Sequence, residues 1–317
     1  YMNMKIDMHT HVAPIEAVKI AEKGGYWHGI NFSRDENEKL TTSHGDETMS
    51  LPWPVRMETP EERLKSMDDR KIDMHILSLS PLMHWHKLDR ENSISYSQDV
   101  NDDISDYTEI NKSRFKSFCF LPLQDTDASI YELERCVVSK GMVGAMVATN
   151  VNGMDWDSEK LYPILEAANE LKCLIFFHPT RGRANSWLTN YHLRNLIGNP
   201  LETTVAMGNI IFSGIMDKLP NLNLCFAHGG GYIRQGIGRF NHGYNVREEA
   251  KSNISHLPSD YLKSFYYDTI THSEEGLRNL INIVGDEQIF LGSDCLLYTS
   301  DAADDTPCVD LGGRRII

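Results

Sequence analysis

Eight short β-like runs recur along this chain with helix-like stretches between them, and this alternation limits the fold more than any other feature. The runs are Met4–Met8, Asp73–Ser80, Phe115–Leu121, Gly144–Thr149, Leu174–His178, Leu224–His228, Phe265–Asp268 and Ile289–Asp294. Several, such as Leu-Ile-Phe-Phe-His and Leu-Cys-Phe-Ala-His, are apolar almost throughout, as parallel strands covered on both faces must be. Between them, Thr59-Pro60-Glu61-Glu62 predicts a helix start with a capping box and a proline in the first turn, followed by Leu64 and Met67 on one face. Ser129 to Glu132 predicts a second start of the same kind, and Leu161–Leu171 and Leu201–Leu219 carry helical periodicity, the latter ending at Pro220. Strand–helix alternation of this count predicts an α/β fold, a (β/α)8 TIM barrel. A doubly wound sheet shares the alternation, because strand order is not written in the sequence.

One connection departs from the pattern. Val12–Thr59, rich in Gly, Trp, His and charge, separates the first run from its helix, and a loop of that length predicts a lid or binding insertion. The expected organisation is one domain over residues 1–294 that carries 12–59 as an insertion. Its 317 residues, 41% of them hydrophobic, are enough to bury a large core. With 31 Lys+Arg against 45 Asp+Glu the net charge is −14, which argues against nucleic acid or an anionic membrane as partner. Six cysteines at 119, 136, 173, 225, 295 and 308 form no CxxC pair, which fits reduced thiols in a cytoplasm. The apolar stretches are shorter than a bilayer span.

The chemistry sits where the runs end. In Asp7-Met8-His9-Thr10-His11 the two histidines are two apart, so a strand points both imidazoles to one side. His178, His228 and Asp294 each close a later apolar run. Side chains from the ends of different strands converge at the C-terminal rim of a parallel barrel, so these five groups are expected to meet there. Three neutral imidazoles and a carboxylate suit a divalent ion such as zinc with a position left for water; another divalent metal such as manganese fits the same donors. The fourth run, Gly144–Thr149, contains no group able to bridge two metals, so one ion per chain is expected.

His9-x-His11, His178-Pro179, Phe226-Ala227-His228-Gly229-Gly230-Gly231 and Leu291-Gly292-Ser293-Asp294 resemble the amidohydrolase superfamily in its decarboxylase branch, the zinc-dependent non-oxidative aminocarboxymuconate-semialdehyde decarboxylase group. The resemblance runs from about Lys5 to Asp294 and includes Pro60-Glu61-x-Arg63-Leu64, Pro200-x-Glu202-Thr203-Thr204 and Gly238-Arg239-Phe240-Asn241-His242-Gly243. It implies His9, His11, His178 and Asp294 as metal ligands, and His228, with Asp294, as the acid/base machinery acting with metal-bound water. It also implies a homodimer in which Arg239 binds the carboxylate of a small-molecule substrate, in the neighbouring subunit's site. Where that group has a second carboxylate-binding arginine, a gap-free match puts Pro54, with Arg56 close by.

Arg181 and Arg183 follow His178 directly and are further candidates for a bidentate carboxylate clamp, against the alternative of a solvated loop. Trp27, His28, Trp53, His84, Trp85 and His86 fall near rim loops, as lid packing or as a substrate wall. Gly229-Gly230-Gly231 lacks the Lys-Ser/Thr of a phosphate cradle and is read as close packing beside the metal. The competing function is a mononuclear hydrolase of a lactone, amide or amine on the same scaffold. Pro-Thr-Arg-Gly-Arg after His178 lacks the acid that a deaminase uses there, which favours decarboxylation. From Cys295 to Asp305 the sequence resembles the direct translation of a transposase-type sequencing adapter, so Cys295–Ile317 is expected to be a non-native tail that replaces an eighth helix.

Overall fold

A computed structural model of the chain describes residues 4–34, 40–50, 59–180, 182–183 and 187–294. The expected tail, the eighth helix, and Trp53, Pro54, Arg56 and Arg181 lie outside the described residues. Eight parallel strands form one sheet in chain order: β1 (Ile6–Val12), then, numbered after four strands of the insertion, β6 (Met74–Leu79), β7 (Phe115–Cys119), β8 (Gly144–Ala148), β9 (Leu174–His178), β10 (Asn223–Phe226), β11 (Tyr266–Asp268) and β12 (Ile289–Phe290). The sheet closes on itself. Asp7 bridges Leu291 in parallel, Met8 N–H donates to the Leu291 carbonyl at 3.0 Å, and Asp294 N–H donates to the His9 carbonyl at 2.9 Å. The chain is thus the (β/α)8 barrel that the alternation predicts, and a doubly wound sheet is excluded by the strand order.

Inside the barrel Met8, Phe118, Met146, Phe176, Cys225 and Ala227 pack together, and burying each large apolar member contributes about 1.5–3 kcal/mol. Met8 reaches that interior beside His9 because the β1 register against β6 slips between Asp7 and Thr10, a bulge of the kind that re-aims side chains at sites. Outside the strands pack α2 (Pro60–Arg70), α3 (Arg90–Glu109), α4 (Thr126–Glu134), α5 (Tyr162–Leu171), α6 (Asn199–Phe212), the short α7 (Ile215–Lys218), α8 (Ile233–Val246), the short α9 (Pro258–Tyr261) and α10 (Glu274–Val284). The capping box at Thr59 forms in full: Thr59 Oγ1 accepts from Glu62 N–H, and Thr59 N–H donates to Glu62 Oε2 at 3.0 Å.

The second expected start is displaced. Asp125 caps α4 by accepting from Ala128 N–H at 2.8 Å, while Ser129 and Glu132 are buried inside the helix. Their polar atoms serve packing instead: Ser129 Oγ donates to the Pro122 carbonyl, and Glu132 Oε1 accepts from Asn101 and Arg135. The periodicity over Leu201–Leu219 is likewise two helices. Gly214 breaks it at φ 73°, with the Asn253 carbonyl 2.2 Å from where a Cβ would stand. The described residues of the 12–59 insertion are largely regular. They contain α1 (Ile15–Lys23) and an antiparallel meander of β2 (Gly25–Trp27), β3 (Ile30–Arg34), β4 (Leu40–His44) and β5 (Glu47–Ser50). Ala17, Ala21, Ile30 and Phe32 anchor this insertion in a core shared with Trp85, Tyr96 and Val100.

Cys119, Cys136, Cys173 and Cys225 are free and buried. No helix among the described residues is long and apolar enough to cross a membrane. At Gly144 the sheet tolerates no side chain, since a Cβ would lie 1.8 Å from the Leu174 carbonyl oxygen, which is backbone and cannot move aside. Gly144→Ala is therefore expected to force β8 from β9 and lower stability by about 3 kcal/mol or more, measured by urea unfolding; a change below 1 kcal/mol, roughly the tolerated range for core swaps, would contradict this packing.

Candidate metal centre

The rim of the barrel brings five side chains from four strand ends to one point. His9 and His11 come from β1, His178 ends β9, His228 follows β10, and Asp294 follows β12. His9 Nε2 lies 3.2 Å from His11 Nε2, and Asp294 Oδ1 lies 3.1 Å from the first and 3.0 Å from the second. His178 Nε2 stands 3.9 Å from Asp294 Oδ1, and His228 Nε2 stands 3.3 Å from Asp294 Oδ2. The donor atoms of His9, His178, His228 and Asp294 all lie within 4.8 Å of one another.

Three of the four imidazoles are oriented by a partner on the far side, whereas His228 Nδ1 has no hydrogen-bond partner among the described residues. His9 Nδ1 donates to Asp268 Oδ2 at 2.6 Å, His11 Nδ1 to Ser78 Oγ at 2.9 Å, and His178 Nδ1 to the Pro179 carbonyl at 2.8 Å. Ser78 is obliged to accept from His11, because its own hydroxyl donates to the Thr10 carbonyl. With Nδ1 carrying the hydrogen in all three rings, the Nε2 lone pairs face the common point, the arrangement seen where histidines bind metals. His178 Nε2 is the sharpest sign: it is buried and has no hydrogen-bond partner among the described residues. Such an atom is costly unless a ligand pairs with it, so the donor set fits a divalent cation.

Electrostatics agree. Burial pushes the His178 imidazole down to about 3 and also lowers His11, which keeps both neutral as ligands must be. Burial opposes charge on His9 too, but Asp294 and Asp268 outweigh it and raise the imidazole to about 10. Burial alone would raise the Asp294 carboxyl; the charge on His9 and the hydrogen bonds from His11 and His228 hold it well below the ordinary carboxylate range. The cage is thus an anion facing a ring of imidazoles, a donor set that a divalent cation would fit.

Asp268 was not among the residues expected here. It is fully buried and accepts from His9, from the backbone N–H groups of His228 and Gly229, both at 2.9 Å, and from Ile270 N–H at 3.1 Å. The available signal was its place at the end of a strand run, the same signal that marked the cage. Asp7 is a second such residue: its Oδ1 accepts from His9 N–H and Ser293 N–H, each at 3.2 Å, and so ties β1 to the segment that carries Asp294. His228 and Asp294 both adopt left-handed backbone conformations, with φ of 56° and 52°, which non-glycine residues hold only under local constraint. The glycine run is close packing, as read: a Cβ on Gly231 would lie 2.2 Å from the Pro200 carbonyl oxygen.

Neither Arg183 nor Arg239, the two arginine candidates among the described residues, contacts the cage. Arg183 Nη1 donates to both oxygens of Asp155 at 3.0 Å, and its Nη2 donates to the buried Glu202 at 3.3 Å, so its charge is already matched by the scaffold. Arg239 is exposed on α8 and makes no hydrogen bond or ion pair to the cage. Of the rim aromatics, Trp27 packs 5.1 Å from Tyr96, and His28 hydrogen-bonds Asp99 and Ser95, as lid packing does.

The amidohydrolase family model matches residues 6–307. The 2-amino-3-carboxymuconate-6-semialdehyde decarboxylase of Dictyostelium discoideum is 33% identical over 297 residues, which span 92% of this chain and 81% of that protein. Among solved structures, Metarhizium anisopliae IDCase in its apo form matches with a TM-score of 0.81 at 22% identity, covering 96% of this chain and 87% of that one. The dihydroxybenzoic acid decarboxylase of Polaromonas sp., solved with manganese and 2-nitroresorcinol, matches with a TM-score of 0.70 at 22% identity, covering 95% and 89%. At such identities the two structures speak for the fold, whereas the matched span of the family model holds the whole barrel and all five cage residues. The chain belongs to the amidohydrolase family.

Proposed function

We propose that the chain is a metal-dependent, non-oxidative decarboxylase of an unsaturated or aromatic carboxylic acid. The observation that carries this reading is the unpartnered His178 Nε2 facing Asp294, His9 and His11, in a chain one third identical over most of its length to a decarboxylase. His9, His11, His178 and Asp294 hold one divalent ion; three imidazoles and a carboxylate suit zinc, and manganese, which the Polaromonas enzyme carries, is the alternative. Bound there, the ion supplies fixed positive charge that holds an anionic substrate and offsets charge developing in the transition state.

The residues of the chain do the rest. Decarboxylation breaks a C–C bond with both electrons left on carbon; carbon dioxide leaves, and the carbon takes a proton. His228 supplies that proton from Nε2 and recovers it from solvent, which its partial exposure admits. Asp294 Oδ2 orients that ring and stabilises its protonated form, while Oδ1 faces the other imidazoles. Backbone bonds from His228 and Gly229 to Asp268 keep the acid in register with the cage. What supports a homodimeric site is that Arg239 is exposed without a carboxylate partner among the described residues, on a chain that also exposes Trp187, Tyr191 and Leu196. Tyr232 Oη donates to the Leu196 carbonyl and ties that segment to the start of α8. Arg239 then orients the substrate carboxylate of a second copy.

Three outcomes test these roles. His178→Ala should lose stoichiometric metal by elemental analysis, and in the wild type affinity should rise about tenfold per pH unit through the neutral range, since metal displaces the proton that His9 holds below about pH 10. Metal retained in His178→Ala, or pH-independent binding, would refute the ligand assignment. His228→Ala should keep its metal and lose about 10²–10⁴-fold in carbon dioxide release from a panel of aromatic and muconate-type acids; loss of the metal instead makes His228 a ligand, and no carbon dioxide from any acid with wild type defeats the decarboxylase reading. Arg239→Ala should raise KM with metal content unchanged, and light scattering should give a dimer; a fully active monomer would count against the shared site.

A further inference from the structure

Beside the cage, the segment after β6 holds an imidazole that neither the metal nor the proton transfer uses. His84 is fully buried, and neither of its ring nitrogens makes a hydrogen bond of normal geometry among the described residues; its one polar contact is a weak one to the Leu79 backbone. Its neighbours are aromatic or imidazole rings: Phe120 at 4.8 Å edge-on and His86 at 5.7 Å. It follows β6 at the same rim, six residues past Ser78, which pairs with His11 of β1 in the sheet. Two more buried hydroxyls at the same rim, Ser80 Oγ just past β6 and Thr149 Oγ1 just past β8, are also without partners.

The backbone around His84 is the opposite of unpaired. Tyr96 Oη donates to the Met83 carbonyl at 2.7 Å, Gln124 Nε2 to the Trp85 carbonyl at 3.1 Å, and Asn152 Nδ2 to the His86 carbonyl at 2.6 Å. Asn101 clamps Phe120 from both sides, accepting its N–H at 2.7 Å and donating to its carbonyl at 2.8 Å. Four side chains from α3 and from the loops after β7 and β8 therefore hold this ring and its platform in place. A fixed frame around a polar group left bare is how a recognition site is built, since a buried donor without a partner costs about 1–3 kcal/mol that a ligand recovers.

We infer that His84 is a specificity-determining residue whose imidazole hydrogen-bonds a hydroxyl group of the substrate, distinct from the carboxylate that is lost. The hydroxyl follows from the chemistry of the ring. A neutral imidazole offers one N–H and one lone pair, and a hydroxyl answers either, whereas a second carboxylate answers only the N–H and would bring an unmatched charge into an apolar setting. The substrate class narrows to hydroxylated aromatic or unsaturated acids. This inference rests on the decarboxylase reading for the identity of the ligand, but not for its test.

The test is calorimetric binding of benzoate and of 2-, 3- and 4-hydroxybenzoate to the metal-loaded protein, in wild type, His84→Phe and His84→Gln. At least one hydroxybenzoate should bind wild type about 5–100-fold more tightly than benzoate, the range set by one unpaired buried group. His84→Phe should abolish that preference while leaving benzoate affinity within about twofold, and His84→Gln, which keeps a donor and an acceptor, should restore part of it. Without ligand, His84→Phe should melt at or above the wild-type temperature, because an unpaired polar group is replaced by an apolar ring of similar shape. A lower melting temperature in His84→Phe makes His84 a structural residue and overturns the inference, as does a hydroxyl preference that is absent in wild type or survives in His84→Phe. A chain that prefers a hydroxybenzoate through His84 yet releases no carbon dioxide from any acid fails as a decarboxylase while the role of His84 stands.

Discussion

The seam between β12 and β1 decides whether the site exists. Asp294 N–H reaches the His9 carbonyl at 2.9 Å, Met8 N–H reaches Leu291, and Asp7 accepts from Ser293 and His9 across the same junction. These bonds join residues at opposite ends of the described chain, and they place the one carboxylate of the cage against the two histidines of β1. Any change that opens the seam separates Asp294 from its imidazoles before it disturbs a single ring. The barrel is therefore more than a platform for the cage, because its closure is itself one of the cage's contacts.

Asp268 makes the seam effective. One buried carboxylate accepts from the His9 ring and from three backbone N–H groups, and these bonds keep it ionised in spite of its burial. A carboxylate in this position fixes the His9 tautomer, raises its basicity and sets the position of His228 through the same oxygens. The His9 ring and the His228 backbone are thus coupled through one side chain, so in the proposed mechanism replacement of Asp268 would disturb metal affinity and proton delivery together.

The cage was legible because a parallel barrel turns a spatial fact into a sequence fact: groups that meet at the rim stand at the ends of apolar runs. His9, His11, His178, His228 and Asp294 all carry that mark. Asp268 carries it too, but nothing in a sequence tells a ligand from the residue that orients one. Arg183 shows the converse. Its place after His178 is visible, whereas Asp155 and Glu202, which match its charge, are 28 and 19 residues away and meet it only through the fold. The insertion hid its meander because β2 to β5 are short and mostly polar, and their order comes from Ile30 and Phe32 packing on the α3 side of the core. The Ser129 start failed on a local competition, in which Asp125 reached the free N–H of Ala128 and left Ser129 to the interior.

The order in which the cage residues occur along the chain has a consequence for how the protein is made. Three of the imidazoles emerge from the ribosome with the first 178 residues, well before Asp268 and Asp294, and β1 waits at an open sheet edge until β12 is available to pair with it. Contacts of such long sequence separation form late and slowly. A nascent chain therefore presents histidines without the anion that completes their selectivity, at a stage when any soft or borderline metal in the cell competes for them. If the cage holds the ion proposed for it, correct loading would belong to the last steps of folding, and the rate at which the final strand docks would bear on which ion the finished protein carries.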